Sequence, residues 1–184
     1  MDKKVLSLGA IAMDVVLNSY ELPKDDGFAL IHHEEMLPGG SASNVSVACA
    51  SLGMEAYQTG KIGDTYIITA PGGKHCIFAN AGDAVCTLTP EELPADIMDG
   101  MDIFYNDMFS PKAAIWLAEK ALEQGKPVIY NMQCVPSFME TCGTSREEIE
   151  KMMELCTVFI SGRAGYEEMT GETDPYKAMR MIQD

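Results

Sequence analysis

Short apolar runs bounded by glycine or polar residues recur along the chain, and in its second half they alternate with segments whose apolar residues fall at helical spacing. Val5-Leu6-Ser7-Leu8 reads as a first strand that ends at Gly9. Residues 41–52, rich in small side chains, predict a helix with Ser41 or Ser43 as its cap and Gly53 as its C-terminal stop. Residues 57–62 read as a further strand. Residues 65–69 and 75–79 are β-rich runs joined by Ala70-Pro71-Gly72-Gly73-Lys74, which predicts a tight hairpin, the one clear antiparallel element. Three parallel-type units follow: strand 103–106 with helix 111–123, strand 128–131 with helix 145–155, and strand 158–161 with another helix. Their strand starts lie 25 and 30 residues apart, the size of a strand–helix–strand repeat, so the pattern predicts an α/β fold.

Local signals agree with that parse. Pro111 suits a first helical turn, Gly125 ends the helix before Lys126-Pro127, and either Thr144 with Glu147 or Ser145 with Glu148 can form a capping box. The last helix opens at Asp174-Pro175 and is expected to run to Asp184 with no stop signal. A parallel sheet that ends on an unfinished helix leaves an apolar edge and face uncovered, so the chain is expected to be part of a larger fold.

Composition narrows the function classes. The 184 residues carry 13 Lys plus Arg against 28 Asp plus Glu, a formal charge of −15, with 47% hydrophobic residues. A chain of this size can bury about 70% of its unfolded surface and so build one real core. Its negative charge repels phosphate backbones and anionic headgroups, and no Lys/Arg-rich run offers a basic groove, so neither a nucleic-acid nor a membrane partner is expected. No stretch approaches the roughly 20 apolar residues that span a bilayer, and Met1-Asp2-Lys3-Lys4 does not open a signal peptide; the expectation is a cytoplasmic protein. Six scattered cysteines without a C-x-x-C pair fit reduced, mostly buried thiols. His32, His33 and His75 have no partners at a metal-ligand interval, so no metal site is expected from them, and 32–35 reads as an exposed lead-in strand.

Two stretches carry candidate chemistry. Leu37-Pro38-Gly39-Gly40-Ser41-Ala42-Ser43-Asn44 leads directly into the small-residue helix. Two glycines let a backbone approach a ligand closely, amides at a helix start can donate to its oxygens, and Asn44 offers a donor and an acceptor, as a polyol requires. The same glycines would also serve a mere sharp turn into a helix. Asp14 is the only charge in the apolar run from Gly9 to Val16, just past the first strand. Strand ends of open α/β sheets face the ligand crevice, where a carboxylate can accept from two neighbouring hydroxyls, although a loop cap would use an aspartate equally well. Asn106, followed by Asp107, and Asn131 stand at strand ends that would face the same crevice, or form ordinary turns there.

Taken in order, Gly9 to Asp14, Gly39-Gly40-x-x-x-Asn44, Leu52-Gly53 and Gly60-Lys61-Ile62-Gly63-Asp64 resemble the N-terminal signature of the ribokinase-like (PfkB) family of carbohydrate and nucleoside kinases. The likeness continues through Pro71-Gly72-Gly73, Asn106, Asn131 and the helix end at Glu167-Glu168-Met169-Thr170-Gly171. The resemblance implies a Rossmann-like, mostly parallel sheet flanked by helices, with a small β lid. It implies transfer of the ATP γ-phosphate, with Mg2+, to a hydroxymethyl group of a sugar or nucleoside. Asp14, Gly39, Gly40 and Asn44 match the family's acceptor-binding positions, with Asn106 and Asn131 as further contacts. Residues 65–79 match part of the lid, through which such proteins often pair as homodimers; residues 1–64 and 80–184 then form the main domain.

Departures from the family pattern qualify that expectation. After Asp64 the family continues with an acidic residue, a helix and a turn before the lid strand, whereas Thr65-Tyr66 follows at once here, which implies an internal deletion. The positions of the family's Asn-x-x-Glu motif hold Gly162 and Gly165, with Glu167 and Glu168 nearby. The D-T-x-G-A-G-D motif that supplies the family's base and anion hole does not occur, so no catalytic residue is expected in this chain and ATP turnover by it is not expected. Two readings follow: a carbohydrate kinase whose catalytic part is missing here, or a non-catalytic ribokinase-like module that binds a sugar or a protein.

Overall fold

The computed structural model describes residues 3–80, 82 and 84–183. In chain order the elements are β1 (Lys4–Leu8), β2 (Ile11–Ser19), β3 (Ile31–Gly39), α1 (Ser41–Ser51), β4 (Glu55–Thr59), β5 (Ile62–Ala70), β6 (Lys74–Asn80), β7 (Ile103–Asn106), α2 (Pro111–Glu123), β8 (Val128–Met132), α3 (Pro136–Cys142), α4 (Arg146–Leu155), β9 (Val158–Ser161), α5 (Arg163–Thr170) and α6 (Pro175–Gln183). Five strands form a parallel sheet in the order β4-β1-β7-β8-β9. Four others form a second sheet, β3-β2-β5-β6, in which β2 runs parallel to β5 and antiparallel to β3.

The core lies on one face of the parallel sheet. Leu6, Leu8, Phe104, Val128 and Tyr130 meet Ala113, Ala114, Leu117, Ala118 and Ala121 of α2 and Ile149 and Met152 of α4. The alanine-rich face of α2 is what lets that helix settle close on the strands. Because side chains alternate along a strand, the odd-numbered residues of β1 turn to the opposite face, where α1 packs on β1 and β4; Val5 and Ala42 are buried there, outside the main cluster.

Several elements stand where the pattern placed them. β1, β7, β8, β9, α2 and α4 agree with it to within a residue, and Ser145 closes a capping box with Glu148: its hydroxyl accepts from the Glu148 amide at 3.2 Å and its own amide donates to Glu148 Oε2 at 2.8 Å. Gly125 and Gly171 end their helices in the left-handed region.

Other expectations are corrected. Residues 57–62 are not one strand: β4 ends at Thr59, and after Gly60-Lys61 the chain enters the second sheet at Ile62. Asp14 lies within β2 and not in a loop. The hairpin is the outer half of a four-stranded sheet, so it is not the one antiparallel element; β2 pairs antiparallel with β3, which contains the lead-in at 32–35. α1 starts at Ser41 itself, with Gly40 as its cap residue and no side chain capping it, so neither Ser41 nor Ser43 has that role. The implied deletion is not among these corrections: Asp64 and Thr65, which flank it, are neighbouring residues of β5, paired with Met13 and Asp14. α6 is described to Gln183; Asp184, where the last helix was expected to end, lies outside the described residues, as do Met1 and Asp2.

Candidate functional site

The chain passes between the two sheets at the carboxyl end of β1, and the polar residues of interest gather there. Asp14 sits in register between Leu37 of β3 and Thr65 of β5. The Thr65 hydroxyl donates to Asp14 Oδ1, and the carboxyl lies against Gly39, where no Cβ would fit. Gly40 follows with φ +96°, and a Cβ there would run into the Ala10 carbonyl and lie 2.9 Å from the Ala12 amide nitrogen. Gly40 is therefore required by close backbone approach, Gly39 leaves the Asp14 carboxyl its place, and together they deliver α1 beside Asp14. Asn44, one turn into α1, donates its amide to the Gly40 carbonyl at 3.0 Å and leaves its side chain exposed. The amides of Ser41, Ala42 and Ser43 precede that first helical hydrogen bond and belong to the donors a helix start leaves for a ligand. Asp14, Gly39, Gly40 and Asn44 thus frame one junction.

A second acid supports this junction. Asp107 follows β7 and is wholly buried; its Oδ2 accepts from the Ala10 amide at 2.8 Å and from the Ser41 hydroxyl, and its Oδ1 from the Phe109 amide at 3.0 Å. Burial pushes its carboxyl up to about 6, while the hydrogen bonds from Ser41, Ala10 and Phe109 act in the opposite direction. Tyr105, on the same face of β7, lies beside Ser41 and accepts from Asn131 Nδ2 at 2.9 Å; burial pushes its phenol up as well. Asn131 therefore joins the network through Tyr105.

Asn106 does not. Its side chain is buried on the other face, with Nδ2 3.3 Å from the Ile129 carbonyl and 3.5 Å from Met152 Sδ of α4, and its Oδ1 has no partner among the described residues. The expected crevice contact is corrected by strand alternation: residues 104 and 106 face α2 and α4, whereas 105 and 107 face α1. Ser41, Thr65 and Tyr105 are the polar members that sequence reasoning did not single out for the site, and Asp107, expected at a strand end facing the crevice or in a turn, is sealed beneath the junction. A sequence signal existed for Asp107, since it is a charge ending an apolar strand just as Asp14 is a charge in an apolar run.

The residues near α5 do not fit a magnesium–nucleotide group. Glu167 is held by Arg163 Nε at 2.7 Å, and Glu168 accepts from the Ser137 amide at 2.6 Å and its hydroxyl at 2.9 Å. Gly165 packs where a Cβ would strike the Ser161 hydroxyl. Among the described residues no cluster of three His, Cys, Asp or Glu side chains can hold a metal ion. His32 stacks on Tyr20 with ring centroids 4.5 Å apart, and the six cysteines are free and half-buried, less enclosed than expected. No described helix is long and apolar enough to cross a membrane.

This two-sheet arrangement, with a glycine-rich helix entry between the sheets, is the ribokinase-like α/β fold. A ribokinase of Arabidopsis thaliana, solved with ribose and ATP, superposes on all of this chain and 69% of its own with a TM-score of 0.74 at 14% identity. Ribokinase from Giardia lamblia does so over 98% of this chain and 64% of its own, with a TM-score of 0.74 at 17% identity. Residues 2–67 match the family described as pfkB family carbohydrate kinase. An ATP-dependent ribose-1-phosphate kinase of Halopiger xanaduensis is 43% identical over 61 residues, 33% of this chain and 21% of that protein. Ribokinase of Bacillus subtilis is 34% identical over 68 residues, 37% of this chain and 23% of that protein. The matched stretch therefore spans only about a fifth of these curated relatives' length. The fold is thus ribokinase-like over the whole chain, and the N-terminal third is similar in sequence to PfkB carbohydrate kinases.

The glycine pair gives a direct test of the junction. Gly40→Ala is expected to destabilise the protein by at least about 2 kcal/mol, because it adds steric overlap with Ala10 to a positive φ. Urea denaturation would read this as a lower midpoint at unchanged slope; a midpoint equal to the parent's would contradict the geometry.

Proposed function

We propose that this chain is the acceptor-binding portion of a PfkB carbohydrate kinase, and that Asp14, Gly39, Gly40 and Asn44 hold a sugar-like polyol. The observation that carries the reading is the convergence of the half-buried Asp14 carboxylate with the glycine-lined start of α1. Asp14 accepts from two neighbouring hydroxyls of the acceptor, the free amides at the start of α1 donate to its oxygens, and the Asn44 amide completes the ring of partners. The second sheet covers the acceptor and limits competing water. Residues 65–79 belong to that cover. The relatives' names favour a ribose-type acceptor.

In such a kinase ATP with Mg2+ supplies the phosphoryl group. The engaged Glu167 and Glu168 do not offer themselves to it, so the 184 residues on their own bind acceptor without turning over ATP. The same observation favours the second reading, a sugar-binding module without catalysis. Exposed Met36 on β3 and Ile77 and Phe78 on β6 suit the second sheet to pair with another copy of the chain. Composition favours a cytoplasmic location.

Calorimetric titration with D-ribose, D-fructose and adenosine is expected to give saturable binding for at least one of them. Absence of binding heat from a wider sugar and nucleoside panel would overturn the assignment. A coupled ADP-release assay with the bound acceptor separates the readings: sugar-dependent release from the 184 residues would contradict an inactive chain.

A further inference from the structure

Asp107 is sealed from solvent and cannot touch an acceptor, yet it ties together three segments that are distant in sequence. Ala10 lies between β1 and β2, Ser41 is the first residue of α1, and Phe109 precedes α2; all three donate to its two oxygens. Gly9, with φ +153°, has no room for a Cβ because the Asp107 carboxyl fills that space. The Ser41 hydroxyl lies between Asp107 and Tyr105, and Tyr105 carries the connection on to Asn131. Gly40 is thus held from two sides: a Cβ on it would strike the Ala10 carbonyl, and the next residue is tethered to the acid that also holds the Ala10 amide.

We infer that Asp107 is a positioning residue, which through Ser41 and Ala10 sets where the Gly39-Gly40 bend and the first turn of α1 stand relative to Asp14. This rests on the acceptor-site reading above only for its functional consequence; the mechanical link stands independently of which ligand binds. A carboxyl group suits this place because each of its two oxygens faces a backbone amide. An asparagine in either orientation turns its amide toward the Ala10 or the Phe109 N–H and leaves that donor unpaired.

The ligand-free test follows backbone amides by 1H–15N NMR from pH 4.5 to 7.5. The titratable groups that sense Asp107 are Tyr105 on its own strand, Tyr130 on β8, and Cys86 and Cys134 in loops, and burial raises all four, so they stay neutral across that range. The expected result is that Ala10 and Phe109 move with a shared midpoint near 6 together with Gly40, Ser41 and Asn44, and that Asp107→Asn removes the shared midpoint. Movement confined to Phe109, with the start of α1 still, would overturn the inference.

Function is read with Ser41→Ala, a milder variant that keeps both amide bonds to Asp107. D-ribose affinity is expected to fall about tenfold in Ser41→Ala and in Asp107→Asn, with no further loss in the double variant, since both break one linkage. Losses that multiply, or full affinity in Ser41→Ala, would show that Asp107 does not act through Ser41. If D-ribose does not bind, the panel member that does takes its place in this comparison; if none binds, the acceptor reading fails and the amide titration still decides the role of Asp107.

Discussion

Asp14→Ala is expected to weaken acceptor binding by at least about 100-fold while leaving the fold intact. A hydrogen bond to a charged group contributes about 1.5–3 kcal/mol, so losing two such bonds to neighbouring hydroxyls costs about 3 kcal/mol or more, which corresponds to a 100-fold or larger rise in Kd. The fold survives because Asp14 is only half-buried and its hydrogen-bond partner among the described residues, Thr65, can turn its hydroxyl to water. Asn44→Ala, removing a neutral amide from an exposed helix position, is expected to cost about tenfold. Calorimetry with the acceptor identified for the parent measures both, and circular dichroism confirms folding. Parental affinity in Asp14→Ala would remove the central residue of the proposed site.

The second large effect is a pH dependence of stability that runs opposite to the usual carboxylate. Asp107 is pushed up to about 6 in the folded protein, from an ordinary value of 3.8. The folded state therefore holds its proton more tightly than the unfolded chain does, and stability falls as pH rises between those values. By linkage the acid costs up to about 3 kcal/mol at pH 7 compared with pH 3.5. Asp102, Glu91 and Glu92 are shifted down by hydrogen bonds, and their small contributions are lost as pH falls, so the raw profile mixes both signs. Subtracting the profile of Asp107→Asn cancels what the two proteins share. The parent is expected to lose up to about 3 kcal/mol relative to the variant between pH 4 and pH 7 in urea titrations. A flat difference would mean that Asp107 is not a buried acid of raised pKa.

The parallel half of this fold is legible in the sequence because most of its strands are short apolar runs and its helices are periodic. β7, β8 and β9 are short apolar runs, and α2 and α4 carry their own start signals in Pro111 and in Ser145 with Glu148. The second sheet is harder to see. Eight of the nine residues of β3 are exposed, so no period of two separates an inner from an outer face, and the apolar run after Gly9 that forms β2 is not read as a strand of its own. Gly60-Lys61 hands the chain from one sheet to the other within a two-residue link, too short a break to separate the end of one strand from the start of the next in 57–62. At the site, residue types were readable and facing was not. Asn106 and Asp107 are equally polar neighbours at a strand end, and only the alternation of β7 sends the amide into the core and the acid toward Ser41.

Gly9, Gly40 and Gly60 meet backbone to backbone where the chain passes between the sheets: Gly40 against Ala10, Gly60 against Gly9. In β2, β3, β5 and β6 only Ser19 and Gly39 are buried, so little apolar packing cements those strands, and they depend on this narrow neck for their register with the rest. Heat or denaturant should therefore loosen that half first, its amides exchanging with deuterium well before those of β1 and β7. A guest seated against Asp14 would act as mortar, and its presence would be felt as slower exchange far out along β5 and β6, at residues it never touches.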